Sequence, residues 1–273
     1  MVGIKRRRLG KSGLMVSELG LGAMDTPTSV EGPATLARAA EMGITFIDTA
    51  REYAGSEFLL GQHVREHGVG GLQLATKSFR RTANGIQAEV DRSLSVLGVE
   101  RVDLYQLHDV TTPEAWSEVM REDDGALGGL KVAQYRGLIG HIGISSHNLD
   151  IVEMAIRSGE FDGVMLEYSA FYPESAWLIE LAAEHDVGVI VMRPVGGSGR
   201  TSVMRGRMAG GTAGMLTPAN LLRYVLSNPG VSVAIPGARS PSRIEENVAT
   251  VSEFEVMAAE EMRELERVAK ELY

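Results

Sequence analysis

Eight short runs of aliphatic and β-branched residues recur along this chain, and most are followed by a longer stretch with helical spacing. The runs are SELGLG (17–22), ITFIDT (44–49), LQLATK (72–77), VDLYQLH (102–108), HIGIS (141–145), GVMLEY (163–168), GVIVMR (188–193) and VSVAIP (231–236). Strands that are almost wholly apolar are buried on both faces, and parallel strands joined through helices meet that condition. Helical spacing is read over 33–42, 56–66, 85–97, 149–157, 174–185, 218–226 and 256–272. Eight such units predict an α/β fold, a (β/α)8 TIM barrel, in preference to an open doubly wound sheet. A β-hairpin around Gly10 to Gly13 is expected to close the bottom of the barrel, and the last helix is an addition at the C-terminal end. The glycine-rich tract at 196–214 is too long for a plain connection and predicts a mobile active-site loop.

Composition narrows the class. A chain of 273 residues with 44% hydrophobic residues supports one sizeable core, so a single domain over 1–273 is expected. The formal net charge of −9 opposes a nucleic-acid partner, which needs clustered cations; Lys5-Arg6-Arg7-Arg8 is the one basic run. Ser12, Ser17 and Glu18 interrupt the segment behind that run, and no apolar stretch reaches 18 residues, so no membrane partner is expected. With no cysteine there is no disulfide or thiolate chemistry. A cytoplasmic monomer is the expectation.

In a barrel of this kind chemistry sits at the C-terminal ends of the strands. Asp48 ends the second run, Tyr53 lies five residues on, Lys77 ends the third and His108 the fourth. A free phenol, with a pKa of about 10, is a weak acid toward a carbonyl oxygen. A neighbouring ammonium would ease release of its proton, and a carboxylate would keep that ammonium charged. Tyr53 is thus the candidate general acid, Lys77 its activator, Asp48 the anchor of Lys77, and a neutral His108 the group that orients the carbonyl. Singly, each has a plainer reading: a turn cap, surface packing, a solvated strand-end charge or a core histidine. Their joint order on successive strands favours the catalytic one.

The segments RLGKSGLMVSELGLGAM, GITFIDTAREYAGSEFLLG, ATK, SLSVLGVERVDLYQLHD, GLIGHIGISSHN and VAIPGARSPSRIEENV together resemble the aldo-keto reductase family over nearly the whole chain. The resemblance implies reduction of an aldehyde or ketone to an alcohol by hydride from a nicotinamide cofactor, with Asp48, Tyr53, Lys77 and His108 as a catalytic tetrad. It implies a cofactor lining of Gly22, Ala23, Met24, Asp48, Ser145, Ser146, Met165, Met192, Arg193, Pro194, Gly196, Gly197, Ile235 and Gly237. The cofactor phosphates would meet Arg239, Ser240 and Arg243 after the eighth strand, and the adenine end Glu246 and Asn247. No GxGxxG opens a helix, in keeping with a cofactor held without a Rossmann fold. Arg239 and Arg243 favour NADPH over NADH, because a 2′-phosphate can be gripped bidentately by arginine.

Several positions depart from the family pattern. Ser146 stands where Asn is common, Met165 where Gln is common, and Met192-Arg193 where Tyr-Ser is frequent. A thioether in place of the expected ring packs against nicotinamide with less area. Arg193 would meet either a cofactor phosphate or a carboxylate. His141 and His147 lie at opposite ends of the fifth run, so no metal site is expected. Met24, Phe79, Trp116, Phe171 and Tyr172 are candidates for the substrate mouth, which is expected to be open because no long tail follows the last helix. Two alternative functions are a slow cofactor-sensing regulator on the same fold, and a lyase that uses Lys77 as a Schiff-base nucleophile.

Overall fold

The computed structural model describes residues 3–211 and 214–272, the side chains of 198–202 excepted. Strands β1 (Arg6–Arg8) and β2 (Met15–Ser17) form an antiparallel hairpin around a short turn of 3-10 helix at Gly10–Ser12. Eight parallel strands follow: β3 (Leu21–Gly22), β4 (Phe46–Asp48), β5 (Gln73–Ser78), β6 (Val102–Leu107), β7 (Ile139–Ser145), β8 (Gly163–Glu167), β9 (Gly188–Met192) and β10 (Val233–Ile235). Each pairs with the next in chain order, and bridges from Leu19 to Ala234 and from Gly22 to Gly237 join the first strand to the last. The result is the expected (β/α)8 barrel.

The helices are α1 (Glu31–Glu41), α2 (Ser56–His67), α3 (Ala83–Leu97), α4 (Pro113–Val119), α5 (Ala126–Tyr135), α6 (Leu149–Ser158), α7 (Ala176–Glu184), α8 (Gly197–Ala209), α9 (Pro218–Ser227), α10 (Pro241–Ser252) and α11 (Ala259–Lys270). Several have sequence-encoded starts. Thr82, Thr112, Asn148 and Thr217 accept hydrogen bonds from backbone NH groups in the first turns of α3, α4, α6 and α9. Proline follows Thr112 and Thr217, where its missing NH costs nothing.

Helices α4, α5 and α8 have no counterpart among the helical segments read from the sequence. The tract at 196–214 is not a loop throughout: α8 occupies Gly197–Ala209, anchored by the fully buried Met204, and residues 212–213 lie outside the described residues. Its glycines lower helix propensity, and packing overrides that local preference. Helix α5 was hidden for a similar reason, since Gly129 serves close packing: a Cβ there would stand 2.5 Å from the Ala83 carbonyl on α3.

The strand period of two sorts side chains between barrel interior and helix layer. Phe46, Ala75, Leu104, Met165, Ile190 and Val233 form an inner cluster, while Ile47, Tyr105, Val189 and Ala234 face the helices. Leu9 and Val16 from the hairpin complete that inner cluster from below. The approach is close, because a Cβ on Gly10 would lie 2.1 Å from the Gly188 nitrogen, and Gly10 itself has φ +50°. Much of the basic run is structural: Arg7 pairs with the buried Glu18 at 2.8 Å and donates to the carbonyls of Leu226, Asn228 and Val231.

Outside the barrel wall, Arg51 pairs with Glu57 and with Glu89 at 2.9 Å, and Glu57 also accepts from Thr76 on β5 at 2.7 Å. This network ties the loop after β4 to α2, α3 and β5. Glu57 is almost wholly buried, so Glu57→Ala leaves Arg51 half-paired in a poorly solvated place. Denaturant unfolding should show a loss of about 1–3 kcal/mol, since Arg51 keeps Glu89 and part of its solvent.

Candidate active site

The interior parity that seats Phe46 and Ala75 in the core also carries Asp48 and Lys77, two residues further along the same strands, into the barrel mouth. Both are almost fully buried and form an ion pair. Lys77 Nζ also donates to the Thr49 carbonyl at 3.0 Å, and Asp48 Oδ1 accepts from Gln106 Nε2 at 2.9 Å. Each charge therefore has a second partner, as a buried pair requires.

Tyr53 lies in the loop between β4 and α2. That loop is held by Thr49 NH to the Ala75 carbonyl and Arg51 NH to the Lys77 carbonyl, both 2.9 Å, and by a Thr49–Ser56 hydroxyl contact at 2.7 Å. Lys77 Nζ lies 4.8 Å from the centroid of the Tyr53 ring. His108 follows β6 directly; its ring meets Tyr53 edge-on at 5.5 Å and stacks on Phe79 at 4.2 Å. Its Nδ1 is 2.9 Å from Glu52 Oε2, and the other Glu52 oxygen accepts from the Phe79 NH at 2.8 Å.

Burial pushes the Lys77 ammonium down from its ordinary value, with Asp48 opposing. Burial, followed by the charges of Asp48 and Glu52, raises the Tyr53 phenol well above its ordinary value, and Arg193 opposes. Tyr53 therefore carries its proton at neutral pH. Asp48 neutralises the ammonium at close range, and Lys77 faces the ring of Tyr53 while its recorded hydrogen bonds go to Asp48 and Thr49. Burial alone would raise the Glu52 carboxyl, but the bonds from His108 and Phe79 outweigh it and hold Glu52 below its ordinary value.

These groups stand at one end of a cavity of 550 Å³ at the C-terminal ends of the strands. Of the residues marked as cofactor-binding in the sequence, Gly22, Met24, Asp48, Ser145, Met165, Met192, Arg193, Pro194, Gly197, Ile235, Gly237, Arg239, Ser240 and Arg243 line it. Ala23, Ser146, Gly196, Glu246 and Asn247 are not among the lining residues. Ser146 Oγ is engaged with both backbone groups of Asn148, and Glu246 pairs with Arg243. Among the mouth candidates, Met24 and Phe79 line the cavity, whereas Trp116 packs toward Phe161 at 6.2 Å, and Phe171 and Tyr172 lie outside it.

Arg193 takes the carboxylate alternative, pairing with Glu167, which His147 also approaches at 3.3 Å. His141 stands 3.6 Å from Asp162. Among the described residues no cluster of three or more His, Asp or Glu could hold a metal ion, and no helix is long and apolar enough to cross a membrane.

Among the lining residues that escaped the sequence reading are Glu52, Asp109 and Arg205. Glu52 sits in a loop beside Tyr53 with no periodicity to mark it, and Asp109, at φ +52°, follows His108. Arg205 belongs to α8, the helix expected to be a loop. Only the fold turns these three toward one cavity.

Tyr53, His108 and the buried Lys77–Asp48 ion pair thus stand together at the C-terminal mouth of a closed parallel barrel. The aldo/keto reductase family model matches residues 18–209 and 207–270, and the chain belongs to that family. It is 29% identical to L-galactose dehydrogenase of Arabidopsis thaliana over 304 residues, covering 96% of this chain and 92% of that protein. It is 26% identical to the uncharacterized oxidoreductase YqkF of Bacillus subtilis over 286 residues, 90% of each chain. The solved holo form of aldo-keto reductase AKR11C1 from Bacillus halodurans superposes with a TM-score of 0.80 at 24% identity, over 97% of this chain and 96% of that one, a likeness of fold.

Proposed function

We propose that this barrel is an NADPH-dependent reductase of aldehydes or ketones, with Tyr53 as the general acid. The observation that carries the reading is the polarity of one cavity. Tyr53, His108, Lys77 and Asp48 line it together with the polar and cationic Arg205, Arg239, Ser240 and Arg243. Met165, Met192, Pro194 and Ile235 add apolar surface to the same lining. That donor set suits a dinucleotide, with guanidiniums and the start of α10 for phosphates and a weakly polar slot for a ring. A nicotinamide cofactor, when bound, would supply the hydride.

The chain's own residues handle the rest. Tyr53 holds its proton until negative charge develops on the carbonyl oxygen, and burial raises the worth of that proton transfer. The Lys77–Asp48 pair places a compact dipole under the phenol ring. Ser145, whose Oγ accepts from the Asp109 NH at 2.9 Å, keeps its hydroxyl proton for a ligand. The relative named L-galactose dehydrogenase acts, by its name, on a sugar, which supports including hydroxylated aldehydes among the substrates assayed.

Arg239 and Arg243 are both spent on exposed pairs, with Asp25 at 3.1 Å and with Glu246. Exposed pairs are weak and yield to a dianion. NADPH should therefore bind about tenfold or more tightly than NADH, equivalent to about 1.4 kcal/mol, and Arg243→Ala should remove most of the difference. Fluorescence titration of both cofactors, with turnover across a panel of aldehydes, ketones and sugars, tests the reading. Absence of binding to either cofactor would overturn it.

A further inference from the structure

We propose that Glu52 is a positioning residue that sets the tautomer of His108, so that neutral His108 presents Nε2 to the cavity as a hydrogen-bond acceptor, and only the imidazolium presents it as a donor. The inference rests on the reductase reading for its consequence, but not for its geometry.

An ionised carboxylate only accepts hydrogen bonds. With Glu52 Oε2 at 2.9 Å, Nδ1 of His108 must carry a proton, since a bare ring nitrogen there would set lone pair against lone pair. The bond on one ring nitrogen decides the state of the other. Glu52 is itself immobilised, because its second oxygen takes the Phe79 NH at 2.8 Å. The Phe79 ring, stacked on His108 at 4.2 Å, and the edge of Tyr53 at 5.5 Å hold the imidazole plane. Arg81 fixes the backbone behind it through the His108 and Asp109 carbonyls at 2.8 and 2.9 Å. The charged and titratable groups around the ring are thus Glu52, Tyr53, Asp109, Arg81 and the Lys77–Asp48 pair, with Arg193 across the cavity. Among the described residues, only Glu52 hydrogen-bonds to the ring itself.

The consequence concerns which form of a substrate the site prefers. A carbonyl oxygen has only lone pairs and needs a donor; an alcohol brings its own proton and accommodates an acceptor. Neutral His108 in the Nδ1–H form therefore matches the alcohol, and imidazolium matches the carbonyl. In this proposal the imidazolium takes the place of the neutral His108 that the sequence reading set to orient the carbonyl.

The direct test is two-bond 1H–15N NMR of the cofactor-free, 15N-histidine-labelled chain, with the His108 signal assigned by its loss in His108→Asn. Above the titration of the ring, His108 should be in the Nδ1–H form, and Glu52→Ala should move it toward Nε2–H. An Nε2–H tautomer in the parent chain, or no change in Glu52→Ala, overturns the proposal. Kinetics provide a readout that a merely structural role would not move. Carbonyl KM should rise with pH by about tenfold per unit above the His108 titration, the slope of one linked proton, while alcohol KM does not rise. Glu52→Ala should flatten the carbonyl profile. An Nδ1–H tautomer in a chain without carbonyl turnover upholds Glu52's role while overturning the reductase reading. Turnover with an Nε2–H tautomer does the reverse.

Discussion

Tyr53→Phe is expected to lower kcat for carbonyl reduction by about 10²–10⁴-fold, the usual contribution of a positioned general acid. Cofactor affinity should be little changed. The ring remains to fill its place between Lys77, 4.8 Å from its centroid, and His108, 5.5 Å away, so only the hydroxyl is lost. Because burial and the carboxylates of Asp48 and Glu52 raise the phenol, the proton is present throughout the neutral range. No decline in rate from ionisation of free Tyr53 should appear up to about pH 9 in the parent enzyme, since even an unshifted phenol titrates near 10. Single-turnover reduction with saturating NADPH separates chemistry from binding. An unchanged single-turnover rate would remove Tyr53 from the role.

The second large effect is expected on stability and turnover together. Lys77→Met strands Asp48 in the barrel mouth with Gln106 as its remaining side-chain partner, at 2.9 Å. Breaking a buried pair from one side costs about 3–5 kcal/mol, largely through the unpaired charge left behind. Asp48→Asn combined with Lys77→Met removes both charges and should recover most of that stability. It should not recover turnover if the charged pair contributes to catalysis beneath Tyr53. Urea midpoints and kcat/KM on the single and double variants give the two readouts. A double variant as active as the parent chain would make the pair purely structural.

Much of the frame was legible locally. All eight barrel strands appear as apolar runs because parallel strands in a closed barrel are buried on both sides, which leaves a continuous signal. Their ends shift by a few residues: Ser17 belongs to the hairpin strand β2, and His108 stands just beyond β6. Thr217-Pro218 announces a helix start through chemistry that acts within one turn. Helix α8 did not announce itself, since its glycines weaken the local preference and buried Met204 supplies a tertiary one.

The candidate site divides along the same line. Asp48, Lys77 and His108 are tied to strand ends, and strand parity carries the first two inward as it carries Phe46 and Ala75. Order along the chain was enough to group them. Glu52 and Arg205 gave no such signal, because a loop residue has no period that states which way it faces and the glycines of α8 weaken its local helical preference. Arg193 was open between two partners until Glu167, 26 positions earlier, was seen beside it.

By itself the sequence determined a parallel eight-stranded barrel and the identity of the groups at its mouth, because burial on two faces and a two-residue repeat are local properties of a chain. Strand order already suggested Asp48 as the partner of Lys77, but tertiary structure alone decided the others: Arg193 pairs with Glu167, and His108 with Glu52. Pairing depends on distances between strands and loops far apart in the chain, and it is pairing that sets where each proton resides.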